Sequence, residues 1–348
     1  MDNYHPKITV LMPVYNGEKF LGEAIESILA QSYKSFDFLI INDGSIDQSL
    51  NIMESYRDNR IQIINNDIHK GFTRSLNIGL EHASGKYIAR MDSDDISLPN
   101  RLLEQVTYLE KNPDTGILGS DIEYIGEGGK KLTNLKPPEL PVSPMYIKWT
   151  LLFRCCLNHP SVMIRRSLLE NLSGYDPYIP YAQDYDLWLR AASKTKITNI
   201  PKPLVKIRKH SKNISRLHRG EQKQIGVITA RREIIRNLGL SPDEDDVKLL
   251  HDKNRIKSKE EVLQVTVLII KLYEAFISKN KIASYEYFII RLHAYSMIGK
   301  IFFNHGKNNI HNFLFLLKTL LIIEPGLIIA VPLFSLLKIT RIFSNLIK

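Results

Sequence analysis

Short apolar segments alternate with amphipathic ones over the first hundred residues. Four apolar runs of strand length occupy residues 8–12, 36–41, 60–64 and 86–91. Residues between these runs, most clearly 18–31 and 73–82, carry apolar side chains at helical spacing. Continuous apolar strands that alternate with amphipathic helices are typical of a parallel sheet covered on both faces. The pattern therefore predicts an α/β fold.

Polar clusters follow three of these predicted strands directly. They are residues 15–16 after the first strand, residues 42–44 after the second and residues 92–95 after the fourth. In open α/β sheets, ligands bind in the crevice beyond the carboxyl ends of the strands. We therefore expect the three clusters to line one cleft.

The rest of the chain falls into three segments with different sequence patterns. Residues 126–144 are rich in glycine and proline, which predicts a loop or crossover. Regular structure is expected again from about 149 to 204, with a short helix near 184–192. Beyond residue 220 the pattern is mostly helical. We expect an α/β catalytic domain over residues 1–220 and a mainly helical region over residues 221–348.

The last part of the sequence is strongly apolar. Residues 313–337 contain few charges, but Glu324-Pro325-Gly326 interrupts the run near its middle. A single spanning helix needs about 20 uninterrupted apolar residues. Two interpretations stay open, namely two buried helices and an interfacial anchor at about 313–348 on an anionic membrane surface. A transmembrane hairpin is a third and less favoured one.

Composition and charge narrow the class of protein. Hydrophobic residues make up 44% and charged residues 24% of the chain, as in globular proteins. The 47 basic residues exceed the 37 acidic ones by 10, which favours contact with polyanions such as anionic lipid or phosphorylated substrates. The only cysteines, Cys155 and Cys156, are adjacent, which excludes a disulfide framework. With no apolar signal segment at the amino terminus, we expect a cytoplasmic protein.

The residue types in the polar clusters suggest a chemistry. Asp92, Asp94 and Asp95 repel one another unless a cation or hydrogen-bond donors compensate them, and Mg²⁺ or Mn²⁺ takes such oxygen ligands. A solvated acidic turn that caps a helix is the alternative. The Asp43 carboxylate could accept a hydrogen bond from the imide N–H of uracil or from a ribose hydroxyl. Alternatively, Asp43 is part of an Asp-Gly turn that only reverses the direction of the chain. Tyr15 stacks on a base or covers the sheet edge.

Together these segments resemble the family 2 glycosyltransferases, inverting enzymes of the GT-A fold that use nucleotide-diphosphate sugars. The resemblance covers about residues 6–215. Its first block comprises residues 8–16, 41–45, 77–80 and 87–95, and its second comprises residues 159–163, 174–176 and 183–190. It implies a Rossmann-like, mostly parallel sheet with flanking helices, followed here by the helical carboxyl-terminal region.

The resemblance also implies roles for the nucleotide-binding residues. Asp43 would bind the base, in a pocket shaped by Pro13 and Tyr15. Asp92 would meet the ribose or the neighbouring phosphate. The first acid of the related Asp-Asp-Gly-Ser pattern is Asn42 in this chain. Because the Asp43 pocket resembles those for uracil, we expect a UDP-sugar donor.

For the reaction itself, the resemblance assigns Asp94 as the ligand of Mn²⁺ or Mg²⁺ in an Asp-x-Asp motif, with Asp95 in support. Asp184 would be the general base that takes the proton of the acceptor hydroxyl. In many relatives a glutamate precedes this base, whereas here the preceding residue is Gln183. One direct displacement would invert the anomeric configuration.

Four further residues are candidates for contact with the diphosphate or the acceptor. His159 and His210 are two of them, and Arg208 belongs to a basic run of seven lysines and arginines over residues 202–219. Trp188 lies four residues after Asp184 and could stack on an acceptor sugar. For Trp188 we favour a place in the core.

Other classes fit the sequence less well. A Gly-x-Gly-x-x-Gly turn after the first strand and a Gly-x-x-x-x-Gly-Lys-Ser/Thr loop are both missing, which excludes common dehydrogenases and P-loop enzymes. A sugar nucleotidyltransferase would begin with a glycine-rich basic loop, which this sequence lacks. A basic membrane- or polyanion-binding protein with an inert cleft is the remaining alternative, but strand-end acids repel polyanions, so we expect no nucleic-acid partner.

The resemblance implies a setting as well. We expect an enzyme of surface-polysaccharide synthesis, peripheral at the inner face of the plasma membrane. Its acceptor would be a saccharide or a lipid-pyrophosphate-linked saccharide.

Overall fold

The structure is a computed structural model that describes residues 7–211, 213–252 and 255–306, with side chains up to residue 302. The apolar run at 313–337, and the membrane anchor predicted there, lie outside the described residues. The chain divides into two compact units, residues 1–229 and 230–348.

The first unit begins with the predicted alternation of strands and helices. Its four parallel strands are β1 (Ile8–Val14), β2 (Phe36–Asn42), β3 (Ile61–Asn65) and β4 (Tyr87–Arg90). The helices between them are α1 (Leu21–Leu29), α2 (Ser49–Ser55) and α3 (Phe72–His82). Most residues of β1, β2 and β4 are buried, because helices cover both faces of the sheet. The predicted α/β pattern is confirmed.

The second half of this unit completes the sheet with strands of mixed direction. Its strands are β5 (Ile96–Ser97), β6 (Thr115–Ile125), β7 (Met163–Arg165) and β8 (Lys196–Arg208). Its helices are α4 (Arg101–Lys111), α5 (Pro144–Thr150), α6 (Arg166–Asn171), α7 (Gln183–Ala191) and α8 (Ile214–Leu217), with a 3₁₀ turn at His159–Ser161. The strand order over the described residues is β3-β2-β1-β4-β7-β6-β8-β5. Strand β7 runs antiparallel to both β4 and β6, and β5 runs antiparallel to β8.

The order of strands reverses between β1 and β4. From β1 the chain passes to β2 and β3 on one side, and β4 pairs with the other side of β1. Such a reversal opens a crevice at the carboxyl ends of the strands, where ligands bind. The residues that follow β1 and β4 therefore face this crevice.

Pro13 lies within β1, although the sequence predicted the strand to end there. Its missing N–H faces the β4 side, where the pairing stops at Leu11 and Arg90, and so no ladder hydrogen bond is lost. On the other side, Val14 still accepts a hydrogen bond from the Asp43 N–H at 2.8 Å. The strand can therefore extend two residues past its predicted end.

Every regular element that the structure describes in the second unit is a helix. Helix α9 (Arg219–Leu238) crosses the division between the units, and α10 (Glu244–His251), α11 (Lys259–Lys279) and α12 (Ser284–Gly306) follow. A capping box formed by Ser258 and Glu261 begins α11. Within the described residues, every helix is too short or too polar to cross a bilayer.

Candidate active site

Three carboxylates meet in the turn that follows β4. The side chains of Asp92, Asp94 and Asp95 can each offer an oxygen within 4.8 Å of the others. Burial, together with the charge of neighbouring aspartates, raises the pKa of Asp94 and raises that of Asp95 further. Asp95 Oδ1 accepts a hydrogen bond from the Arg208 N–H at 2.9 Å, while its buried Oδ2 has no partner among the described residues.

This acidic turn fits a hard divalent cation. Clustered carboxylates that are partly desolvated repel one another, and a cation relieves that repulsion. Oxygen ligands of this kind suit Mg²⁺ and Mn²⁺. Asp95 Oδ2 is buried and lacks a hydrogen-bond partner within the described part of the chain, so its charge is one that such a cation would offset.

His210 reaches the same turn from the end of β8. Its Nε2 lies 2.8 Å from Asp94 Oδ2, and Asn213 donates to that oxygen from Nδ2 at 3.2 Å. The residues following β8 thus bring an imidazole nitrogen to the acidic turn. The sequence predicted that His210 contacts the diphosphate or the acceptor, and the structure adds Asp94 as its partner within the protein.

Arg208 has a different position from the one predicted. Its guanidinium is buried and donates to the carbonyl oxygens of Asp94 at 2.9 Å and Glu127 at 2.7 Å, and to Glu23 Oε2 at 2.8 Å. It also lies over the ring of Phe20 at 4.6 Å. In this arrangement the Arg208 guanidinium points into the protein and positions the acidic turn, rather than facing a diphosphate or an acceptor.

Asp43 orders the loop between β3 and α3. Its Oδ1 accepts hydrogen bonds from Asn66 Nδ2 and from the Lys70 N–H, each at 2.9 Å, and its Oδ2 accepts one from the Gly71 N–H at 2.9 Å. Asp43 itself is only 2% exposed. These bonds hold residues 66–71 over the carboxylate.

Tyr15 and His69 stand above Asp43 at the mouth of the crevice. The ring of Tyr15 is 45% exposed and stacks on the His69 imidazole, with centroids 3.8 Å apart and an interplanar angle of 25°. His69 Nδ1 lies 2.9 Å from Asp43 Oδ2. Pro13 is buried beneath this surface, within β1.

The loop after β1 also packs against the acidic turn. A Cβ on Gly17 would lie 3.3 Å from Ser93 Oγ, so the Gly17 backbone lies close to the Ser93 side chain. The predicted convergence of the first and fourth strand ends is therefore observed. Asp43, which follows β2 and lies beside Val14, adds the polar cluster of the second strand end to the same edge of the sheet.

Asp184 lies in the first turn of α7. Ala182 starts this helix with a left-handed φ of 57°. Burial raises the pKa of Asp184, and the nearby Asp92 charge adds to this, although the Tyr185 N–H and Arg90 oppose the shift. A carboxylate with a raised pKa is a stronger base than an ordinary aspartate. The structure thus brings the predicted base near Asp92.

Arg90 is a residue of this site that the sequence analysis did not identify. It ends β4, is 2% exposed and forms an ion pair with Asp92. Its Nε and Nη1 are buried and have no hydrogen-bond partner among the residues that the structure describes. The guanidinium also lies over the ring of Phe72 at 5.0 Å. A charged residue ending an apolar strand, two positions before the acidic turn, was the available signal.

His159 and Trp188 lie beneath the crevice. His159 Nε2 is 2.9 Å from the Tyr175 hydroxyl, and its ring meets that of Trp188 edge-on at 5.9 Å. Burial, with a smaller effect from Arg90, lowers the pKa of His159 well below its usual value. Trp188 is fully buried, in agreement with the core position favoured from the sequence.

Asn77 explains why a distant segment of the chain is held here. Its side chain donates to the Tyr175 carbonyl at 2.8 Å and accepts from the Tyr175 N–H at 2.9 Å. Thr73 donates to the Ile179 carbonyl at 2.8 Å. Helix α3 therefore fixes residues 175–179, which precede α7.

Comparison with known proteins identifies the class. Residues 9–172 match the family model described as glycosyl transferase family 2. A Haemophilus influenzae protein described as an uncharacterized glycosyltransferase is 33% identical over 287 residues, which cover 79% of this chain and 87% of that protein. The chain therefore belongs to glycosyltransferase family 2 and is a glycosyltransferase.

Solved structures agree with this fold. The S. aureus protein TarS (residues 1–349), crystallised with UDP, matches 88% of this chain and 89% of its own with a TM-score of 0.55 and 17% identity. The mannosyltransferase PcManGT from Pyrobaculum calidifontis, in complex with GDP-Man and Mn²⁺, covers 80% of this chain and 77% of its own with a TM-score of 0.53 and 16% identity. At these identities the likeness shows the GT-A-like fold alone.

Proposed function

We propose that this protein transfers a sugar from a UDP-sugar to a saccharide acceptor, with inversion at the anomeric carbon. The observation that carries the proposal is the cluster of Asp92, Asp94 and Asp95 after β4, together with the Asp184 carboxylate, whose raised pKa responds to the charge of Asp92. A base on one side and a diphosphate-binding turn on the other are the two parts that a single displacement needs.

The donor end of the crevice has groups suited to a nucleotide. Tyr15 offers an exposed ring for a base, and Asp43 offers a carboxylate that accepts an imide N–H. TarS binds UDP and, in another structure, UDP-GlcNAc, whereas PcManGT binds GDP-Man. We infer a uracil nucleotide here because Asp43 matches its N–H donor, and we expect Asp92 to meet the ribose or the neighbouring phosphate.

Asp94 and His210 are the residues that would hold a divalent cation, Mn²⁺ or Mg²⁺, with Asp92 and Asp95 beside them. When bound, such a cation supplies neutralisation of charge that develops on the leaving diphosphate. Arg208 keeps the Asp94 backbone in place, and Asn213 fixes the orientation of the Asp94 carboxylate.

Asp184 would act on the acceptor. Its carboxylate accepts the proton of the attacking hydroxyl while the new bond from that oxygen to the anomeric carbon forms. The bond from the anomeric carbon to the diphosphate oxygen breaks, and the electron pair leaves with the nucleoside diphosphate. Because the attack comes from the opposite face, an α-linked donor gives a β-linked product.

The acceptor is proposed to be a saccharide, either free or linked to a lipid pyrophosphate, in surface-polysaccharide synthesis. The net charge of +10 supports attraction to an anionic membrane surface. We therefore place the enzyme, as a proposal, at the inner face of the plasma membrane.

The test is the release of nucleoside diphosphate from a panel of sugar nucleotides, with Mn²⁺, with Mg²⁺ or with EDTA. We expect slow hydrolysis of one UDP-sugar that EDTA abolishes and that Asp94→Ala reduces by at least about a hundredfold. Asp114→Ala is the matched control, because this carboxylate is exposed and pairs with Lys196 at the surface.

Nucleotide binding is measured on the same samples by calorimetry, so that a missing acceptor does not hide a functional donor site. Binding of a UDP-sugar in the presence of Mn²⁺, and its loss in Asp94→Ala, supports the proposal. Failure of every sugar nucleotide to bind or to react would contradict it.

A further inference from the structure

His69 makes the two contacts that a nucleobase would need at this site. Its imidazole stacks on Tyr15 with centroids 3.8 Å apart, and its Nδ1 lies 2.9 Å from Asp43 Oδ2. A uracil ring bound between the same groups would use its face against Tyr15 and its imide N–H toward Asp43. The base and the imidazole cannot occupy this space together.

The backbone around His69 is held by contacts that do not involve its side chain. The N–H groups of Lys70 and Gly71 donate to Asp43, and Gly44, with a φ of +70°, packs against the backbone of residue 69. A Cβ on Gly44 would lie 2.7 Å from the His69 nitrogen, so only glycine allows this approach.

The imidazole itself is 49% exposed, and only Tyr15 and Asp43 contact it among the ring and ionic contacts of the described residues. Rotation about its side-chain bonds would move the ring into solvent. The hydrogen bonds that hold the loop would remain unchanged.

We propose that His69 is an affinity-setting residue that occupies the nucleobase position of the donor site and leaves it when a nucleotide binds. This inference rests on the proposed function. Donor binding then exchanges one stacked ring and one hydrogen bond to Asp43 for another pair of the same kind. The apparent affinity for the donor is lower than the pocket would give without His69.

The test is the dissociation constant of UDP, with Mn²⁺ present, for wild type, His69→Ala and His69→Phe. We expect His69→Ala to bind UDP about two- to tenfold more tightly, the range that one aromatic contact is worth. His69→Phe keeps a ring that can stack on Tyr15, and so its affinity should stay within twofold of wild type, about 0.4 kcal/mol.

Two controls assign the effect to the base position. His82→Ala removes an exposed histidine on α3 whose Nδ1 lies 2.9 Å from the Ile78 carbonyl of the same helix, and we expect no change in affinity. Inorganic pyrophosphate has no base, and so His69→Ala should leave its binding unchanged. Thermal unfolding of each variant verifies that the fold is intact.

The outcomes separate this inference from the proposed function. If wild type binds UDP, and His69→Ala binds it with equal or lower affinity, the inference is overturned while the donor site stands. Binding by His69→Ala but not by wild type supports the inference strongly. If neither protein binds any nucleotide, the proposed donor site itself is contradicted, and the inference fails with it.

Discussion

His210 and Asp94 are 116 residues apart in the sequence, yet His210 Nε2 lies 2.8 Å from Asp94 Oδ2. Strand β8 ends beside the turn that follows β4, because β8 pairs with β5 directly after that turn. This contact joins the last strand of the sheet to the acidic turn. It stands beside the contacts that Arg208 and Asn213 make with the same turn.

We predict that His210→Ala weakens the response to metal. The substitution removes the nitrogen that faces Asp94, and loss of one group around a metal usually costs about ten- to a hundredfold in metal affinity. The measurement is the Mn²⁺ concentration that gives half-maximal release of nucleoside diphosphate. His82→Ala, an exposed histidine, serves as the control.

An unchanged Mn²⁺ requirement in His210→Ala would mean that the contact with Asp94 is structural. In that case Asn213→Ala, which removes the second donor to Asp94 Oδ2, should also leave the requirement unchanged. The combination of the two results distinguishes a metal site from a packing contact.

Arg90→Lys tests the buried ion pair with Asp92. Lysine keeps the positive charge but lacks the planar fork of arginine, so it cannot reproduce the same geometry. We expect release of nucleoside diphosphate to fall about ten- to a hundredfold, the loss associated with one hydrogen bond to a charged group. Donor turnover and thermal unfolding are measured together.

Arg166→Lys is the matched control, since this arginine pairs with Glu170 on an exposed part of α6. Full activity in Arg90→Lys would show that any buried cation suffices. A loss of activity that tracks unfolding would assign Arg90 to stability instead.

His159 gives a prediction for stability against pH. Burial keeps the pKa of this imidazole well below the usual 6.5, so the folded protein does not take up the proton that the unfolded chain binds. The contribution of neutral His159 to the free energy of unfolding should therefore be fully present above about pH 6.5. It should be lost as the pH falls below that value, by about 1.4 kcal/mol per pH unit at most.

The comparison is with His159→Gln, which cannot titrate but can still accept a hydrogen bond from Tyr175. Urea unfolding of both proteins between pH 7 and pH 5 isolates the effect, because the aspartates of the site titrate equally in each. Parallel pH profiles would contradict the prediction.

Local pattern was enough to predict much of the fold. Strands β1, β2 and β4 were predictable because nearly every residue in them is buried. Burial on both faces of the sheet requires a continuous apolar run, and that run is visible in the sequence. Asp184 at the start of α7 and the acidic turn after β4 also occur where the motifs predicted them.

Contacts between distant segments were not predictable in the same way. The antiparallel β7 is only three residues long, and the parallel pairing of β6 with β8 joins segments separated by three helices, a 3₁₀ turn and β7 itself. The basic run at 202–219 suggested contact with the diphosphate or the acceptor, yet it includes Arg208, which is buried by contacts with Glu23 and residues 126–127. Such partners are set by the tertiary fold.

The stacking of His69 on Tyr15 is a second example. No spacing in the sequence relates these two residues, because the fold brings them together only through Asp43 and the close approach at Gly44. The exposed surface of a site is therefore less predictable than the strands that support it.

The most direct test of the account is turnover by Asp184→Asn under saturating UDP-sugar and Mn²⁺, with donor binding measured on the same protein. Asparagine keeps the size of the side chain but cannot accept a proton, so kcat should fall by about a hundred- to ten-thousandfold while the donor Kd is unchanged. In wild type, the acidic limb of the kcat profile should lie above pH 3.8, because burial raises the pKa of Asp184. Wild-type turnover by Asp184→Asn would contradict the account, since a crevice that works without this carboxylate does not use it as the base.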